Sequence, residues 1–397
     1  MTHSSSTSVL IEPVRTRRIR RLFLTFPWTI YGRDPLWVPP VLTERAARID
    51  PSRNPLFQKG QAEVFLAWRG GEPVGTIGVA IDSYANLHRD KPVAIFGFFE
   101  CLEDEAVARA LLDQAVAWGR ERGMAVLRGP QSFGSNDEPG LLIEGRETPR
   151  GLLMGWTPPY YQSFVESYGF TKYGDSLAYR VYLRDYVNGD GEFVPPGNVR
   201  RLADYIQTRY GERCRVRFGN LQEWDAELEL ARTIYNQALT HLRDFTPMSQ
   251  DEWMRMAGSI RQLLSEELVA FVELDGKAIA FGLALPDINQ ALWHCNGLRA
   301  PWDYAKLWWY SRRLPGISFK IMAMLPEYHG LGLDILIYLQ IAEASWRGAY
   351  QWADLSLTGD GNPVTNKIAA KIGAHVDKRY RVYDLDLNSA FEPQESR

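Results

Sequence analysis

The chain repeats itself, and the repeat limits its possible folds more than any other feature. Glu63-Val-Phe-Leu-Ala-Trp68, a turn at Arg69-Gly-Gly-Glu-Pro73, and Val74-Gly-Thr-Ile-Gly-Val-Ala80 read as strand, tight turn, strand, with glycine supplying the turn conformations. Leu268 to Leu274, Asp275-Gly276 and Lys277 to Leu285 read the same way. Each hairpin leads into a strand, a helix, a strand and a helix, and then into Tyr-Arg-Val-Tyr, at Tyr179 to Tyr182 and again at Tyr380 to Tyr383. The distance from Gly71 to Tyr179 nearly matches that from Gly276 to Tyr380. A period of this size predicts two copies of an α+β unit rather than one large sheet.

Length agrees, because 397 residues exceed what one compact core usually organises. The stretch Asp185 to Asn198 is dense in Gly, Pro and Asn and has no periodicity, so it reads as the connection. The predicted spans are therefore 1–187 and 198–390.

Forty-five Lys and Arg stand against forty-eight Asp and Glu, a net charge of −3 that lacks the basic field a nucleic-acid binder needs. No apolar run reaches the ~18–20 residues of a membrane span, and Met1 to Ser8 is polar, so a cytoplasmic chain is expected. Cys101, Cys214 and Cys295 form no paired motif, which fits a reduced compartment. Neither HExxH, GxSxG nor the GxxxxGK[ST] phosphate loop occurs, and no metal is expected.

The most informative segment runs Ile317 to Leu325 as a strand, Pro326-Glu-Tyr-His-Gly-Leu-Gly332 as a turn, and Leu333 to Trp346 as a helix with apolar residues at 333, 336, 337, 341 and 344. Backbone N–H groups of such a turn point at whatever lies over the helix N-terminus, which favours phosphate. Gly330 and Gly332 permit close approach. By itself a strand, turn and helix with two glycines is also an ordinary tight connection.

The order of hairpin, strand, this turn, helix, strand, then Asn362-Pro-Val-Thr-Asn-Lys-Ile-Ala-Ala-Lys-Ile-Gly373 and Tyr380 to Tyr383, resembles the GCN5-related acyltransferase (GNAT) superfamily. Longer strings resemble a two-unit subgroup that includes bacterial ceramide synthase-like acyltransferases: Asp34 to Pro40, Gly129 to Gly140 with Ile143 to Gly145, Pro286 to Asn289, and the Pro326 to Gly332 turn. The resemblance implies two fused GNAT-like units, each a mixed, largely antiparallel sheet flanked by helices. It implies acetyl-CoA or a longer acyl-CoA as co-substrate and an amine, lipid-like amines included, as acceptor. On the family pattern Met324, Leu325, His329, Gly330, Leu331, Gly332, Leu333 and Asn362 would hold the CoA moiety.

Departures from the pattern are specific. The phosphate-binding positions read His329, Gly332 and Asp334, and a carboxylate is unfavourable beside a pyrophosphate. The tyrosine that protonates the departing thiolate in many members falls at Ala369, four before Gly373, and at Val165, four before Gly169. In the first copy Glu100-Cys-Leu-Glu-Asp-Glu-Ala106 replaces the turn with carboxylates and no glycine, so that copy is expected not to bind CoA.

Attack of an amine needs a base, and the candidates are Asp287, after the strand ending at Leu285, and Asp360. Asp354, Ser356 and Thr358 share one face of their strand by alternation. Asn136, Asp137, Asn289 and Ser356 are the candidate acceptor contacts. Each of these residues also suits a cap, a turn or a solvated face.

Arg15, Arg17, Arg18, Arg20 and Arg21 precede Leu22 to Trp28, which reads either as peripheral attachment to an anionic membrane or as a first helix with a basic face. Trp302, Trp308, Trp309 and Tyr310 read as an acyl channel, core packing or a dimer contact. Monomer and homodimer are both compatible. The competing functional reading is a non-catalytic GNAT-fold scaffold, which the missing tyrosine and the degenerate glycine pattern favour.

Overall fold

A computed structural model describes residues 8–133, 139–242 and 244–388, and all side chains within them except those of Ser356 and Val364. The strands are β1 (Leu10–Pro13), β2 (Gly60–Arg69), β3 (Glu72–Asp82), β4 (Val93–Cys101), β5 (Val126–Gly129), β6 (Leu141–Glu144), β7 (Thr171–Tyr182), β8 (Cys214–Phe218), β9 (Val269–Leu274), β10 (Lys277–Pro286), β11 (Gly316–Met324), β12 (Trp352–Gly359) and β13 (His375–Asp386). The longer helices are α1 (Arg17–Thr25), α2 (Glu105–Glu121), α3 (Tyr160–Tyr168), α4 (Gly197–Tyr210), α5 (Trp224–Ala238), α6 (Gln250–Ile260), α7 (Pro301–Tyr310), α8 (Ile335–Arg347) and α9 (Pro363–Lys371).

The chain divides into two compact units. The first takes the described residues up to Ser176, Cys295–Tyr304, and the chain from Arg379; the second takes Leu177–His294 and Ala305–Lys378. These units differ from the spans 1–187 and 198–390. The repeat is present, but each copy's terminal strand is exchanged. In the first unit the order is β1-β2-β3-β4-β5 followed by the end of β13; in the second it is β8-β9-β10-β11-β12 followed by the end of β7. The first four strands of each run are antiparallel neighbours, and the fourth and fifth are parallel.

Both hairpins turn as the sequence predicts, with positive φ at Gly70 and Gly71 in one and at Asp275 and Gly276 in the other. In the first unit Asp104 caps α2 by accepting the N–H groups of Ala106 and Val107, and the stripe Val107, Leu111, Leu112, Ala115 and Val116 packs on the sheet. Tyr383, Leu385 and Leu387, from the end of the chain, are buried in that same core. The second unit has a core on each face of its sheet. Val181, Ile317, Phe319, Ala353 and Leu355 meet α4 and α8 on one face, while Phe271, Phe281 and Ala323 meet α5 and α6 on the other. Helix α6 starts with a capping box between Ser249 and Glu252.

Candidate active site

The second unit brings charged side chains together beside the parallel ladder of β11 and β12. That ladder pairs Gly316 with Trp352 through Phe319 with Leu355, and Ser318 lies opposite Asp354. Because Ile317, Phe319, Ala353, Leu355 and Val181 face α4 and α8, alternation puts Ser318, Asp354 and Arg180 on the other face. A register shift between Leu283 and Ala284 leaves Lys320 as the extra residue of β11, next to this group.

Asp354 is fully buried, and Oδ1 accepts from Nε and Nη2 of Arg180, both at 3.2 Å. Arg180 also pairs with Asp377 at 3.2 Å and lies over the Trp352 ring at 4.5 Å. Oδ2 of Asp354 has no hydrogen-bond partner among the described residues. Burial pushes the Asp354 carboxyl up, Arg180 and Lys320 pull it down, and Asp377 pushes it up again; the net direction is upward.

Asp287 is also fully buried. Its N–H donates to the Gly316 carbonyl at 2.9 Å, its Oδ1 accepts the N–H of Asn289 at 3.1 Å, and its Oδ2 lies 3.4 Å from Nε2 of Gln290. Burial, followed by the nearby Asp354 charge, pushes its carboxyl up to about 7. Asn289 itself is buried at the start of the short helix Asn289–Leu292.

The predicted phosphate turn lies at the other end of β11. From Ser318 to Met324 the strand advances roughly 20 Å at about 3.3 Å per residue. The turn comprises a single 3₁₀ turn at Pro326–Tyr328, and Gly330 and Gly332 both have positive φ. His329 Nε2 lies 2.9 Å from the Met324 carbonyl, and the Leu325 N–H donates to Ile279 at 2.9 Å. Backbone N–H groups of Gly330, Gly332 and Leu333 have no acceptor among the described residues. Helix α8 begins only at Ile335, and Asp334 precedes it; burial pushes the Asp334 carboxyl up, while the N–H groups of Asp334 and Ile335 partly offset that.

The remaining predicted residues are dispersed. Asp360 is exposed in the turn after β12, where its carbonyl accepts from Asn366, whereas Asp287 is buried. Asn362 caps α9, its side chain accepting the Thr365 N–H at 3.3 Å. Ser356 lies on β12, with its side chain outside the described residues, and Asn136 and Asp137 lie outside them altogether. Sequence reasoning did not single out Arg180, Lys320 or Asp377. Their one signal is the occurrence of Arg180 inside the otherwise apolar and aromatic stretch Leu177 to Tyr182.

In the first unit two carboxylates of the Glu100 to Glu105 segment, Glu100 and Asp104, are engaged locally. Glu100 accepts from Tyr31 at 2.6 Å and from Tyr161 at 2.9 Å, and Asp104 pairs with Arg69 while capping α2. The helix N-terminus there is already satisfied by the protein's own carboxylate. A partly open pocket beside it is lined by Tyr31, Trp37, Arg45, Glu100, Gln131 and Trp156.

Among the described residues no helix is long and apolar enough to cross a membrane. In α1, Ile19, Phe23 and Leu24 are buried, and Arg20 bonds the Ala46 carbonyl and Asp50, which is the arrangement of a first helix with a basic outer face.

No family model matches the chain. It is 29% identical over 397 residues to Protein YghO of Escherichia coli (strain K12), covering 98% of each chain. It is also 29% identical over 393 residues to the bacterial ceramide synthase of Caulobacter vibrioides (strain NA1000 / CB15N), covering 97% of this chain and 99% of that one. A solved tandem GNAT protein from the clavulanic acid biosynthesis pathway superposes with a TM-score of 0.54 over 97% of this chain and 100% of its own, at 11% identity. The chain therefore has a tandem GNAT fold. Ala369, four residues before Gly373, is a buried residue of α9. The turn after β11 has two glycines with positive φ and three backbone amides without an acceptor among the described residues, whereas at the first unit's counterpart Asp104 already accepts the amides that open α2.

Proposed function

We propose that this protein is a CoA-dependent N-acyltransferase, with the donor held by the second unit and an amine, lipid-like amines included, as acceptor. The tandem GNAT fold and the full-length likeness to a bacterial ceramide synthase support N-acyltransferase chemistry in general. The observation that carries the donor assignment is the turn after β11, with amides of Gly330, Gly332 and Leu333 that have no acceptor among the described residues.

Acyl-CoA, when bound, supplies an acyl carbon activated as a thioester. The three amides would hold the pyrophosphate at the head of α8. Asp287 would take a proton from the acceptor ammonium, since a carboxyl near 7 is divided between its two forms at neutral pH and is therefore an effective base. Gln290, at 3.4 Å from Oδ2, is the contact that the acceptor would replace. Exposed Asp360 has no comparable setting.

The second reading, a GNAT-fold protein without transferase activity, is favoured by one observation: an acidic residue, Asp334, stands at the start of α8, directly after the Leu333 amide. Thermal unfolding with CoA, acetyl-CoA and palmitoyl-CoA separates the two. A ligand at 100 times its Kd stabilises by about 2.7 kcal/mol, a rise of several degrees. The transferase reading expects that rise, its loss in Gly332→Asp, and loss of turnover in the same variant. No rise with any of the three, well above micromolar concentration, leaves the non-catalytic reading standing.

A further inference from the structure

We propose that the outer end of α7 and the turn after it form a docking surface for an anionic lipid bilayer. Large aromatic side chains normally serve a core, yet Trp308, Trp309 and Tyr310 are 60%, 63% and 40% exposed. Half-buried Leu307 lies on the anchored side, and Tyr310 stacks on His294 with ring centroids 3.7 Å apart. The two indoles are left outside.

Charge selects the partner. Lys306, Arg312 and Arg313 are all exposed, and the sequence from Tyr304 to Arg313 contains no Asp or Glu. The Arg312 guanidinium lies over the Trp308 ring at 3.6 Å, so a cation and an amphipathic ring are presented side by side. Indole rings settle at the headgroup level of a bilayer, and lysine and arginine beside them are attracted to anionic headgroups. A second copy of this chain would bring cations against cations, which disfavours a symmetric dimer through this patch. The basic helix α1 has no equivalent surface, because its apolar side chains are buried.

The test is flotation of the full-length protein with vesicles of phosphatidylcholine alone and of phosphatidylcholine with phosphatidylglycerol, a measurement independent of acyl transfer. The expected result is flotation with the anionic vesicles only, weakened by salt. Trp308→Ala/Trp309→Ala and Lys306→Gln/Arg312→Gln/Arg313→Gln should each lower the bound fraction about tenfold or more with unchanged melting temperature. Wild-type protein that does not float, or variants that float as well as wild type, would overturn the proposal. So would a concentration-dependent dimer in sedimentation that the double tryptophan variant dissolves, since the patch would then belong to a second copy.

Discussion

Arg381 grips Asp175 at two points, Nε to Oδ1 at 2.8 Å and Nη2 to Oδ2 at 3.0 Å. Arg381 belongs to the second Tyr-Arg-Val-Tyr strand and Asp175 lies just before the first, yet both are in the first unit. The second unit holds the reciprocal pair: Arg180 of the first such strand meets Asp377, just before the second. The same exchange is thus recorded twice, in two ion pairs that each join the arginine of one Tyr-Arg-Val-Tyr motif to an aspartate a few residues before the other.

For Asp175, burial raises the carboxyl but Arg381 and Lys172 outweigh it and hold it near 2. A folded-state value below the unfolded one contributes stability above about pH 4 that is lost as pH falls toward 2. Asp175→Asn should therefore cost about 2–3 kcal/mol at pH 7 and little near pH 2. Urea unfolding of both proteins across that range checks it; a cost independent of pH would contradict the ion-pair account.

Asp287 has the opposite sign. Its carboxyl is raised from 3.8 to about 7 by burial and by the charge of Asp354 on β12, with Lys320 of β11 and Gln290 opposing. Its contribution is fully present below about pH 4 and is lost as pH rises to about 7, at about 1.4 kcal/mol per unit of displacement, a few kcal/mol in all. In Asp287→Asn that slope should be absent, so the gap between the two stability curves should change most between pH 4 and 7. Parallel curves would remove the raised carboxyl and weaken Asp287 as a base.

A fragment ending at residue 187 should not fold. It lacks the end of β13, which pairs with β5 from Tyr383↔Gly129 to Asp386↔Val126 and with β6 through Arg381↔Leu141, and it lacks buried Tyr383, Leu385 and Leu387. Circular dichroism and limited proteolysis of the fragment, alone and with a peptide of residues 375–388 added, provide the check. A cooperative transition in the fragment alone would contradict the exchange.

Local signals carried the sequence reading as far as they reached. The hairpins were legible because Gly70-Gly71 and Asp275-Gly276 write their turn conformations into the chain. The turn after β11 was legible because Gly330 and Gly332 need positive φ. Strand partnership was not legible, because alternation fixes which side chains are buried but says nothing of which distant strand supplies the hydrogen bonds. For the same reason Arg180 passed as one letter of a repeated motif: its partners Asp354 and Asp377 lie far along the chain.

The exchanged strand also sets a timetable for biosynthesis. A ribosome finishes Ser176 roughly two hundred residues before it reaches Arg379. Until that later segment emerges, β5 and β6 lack the strand they pair with, and the first-made unit must wait on a nascent chain that is still growing. Folding of the first unit ahead of the second is closed to this protein, and the first unit reaches its final form only after the segment from Arg379 has emerged.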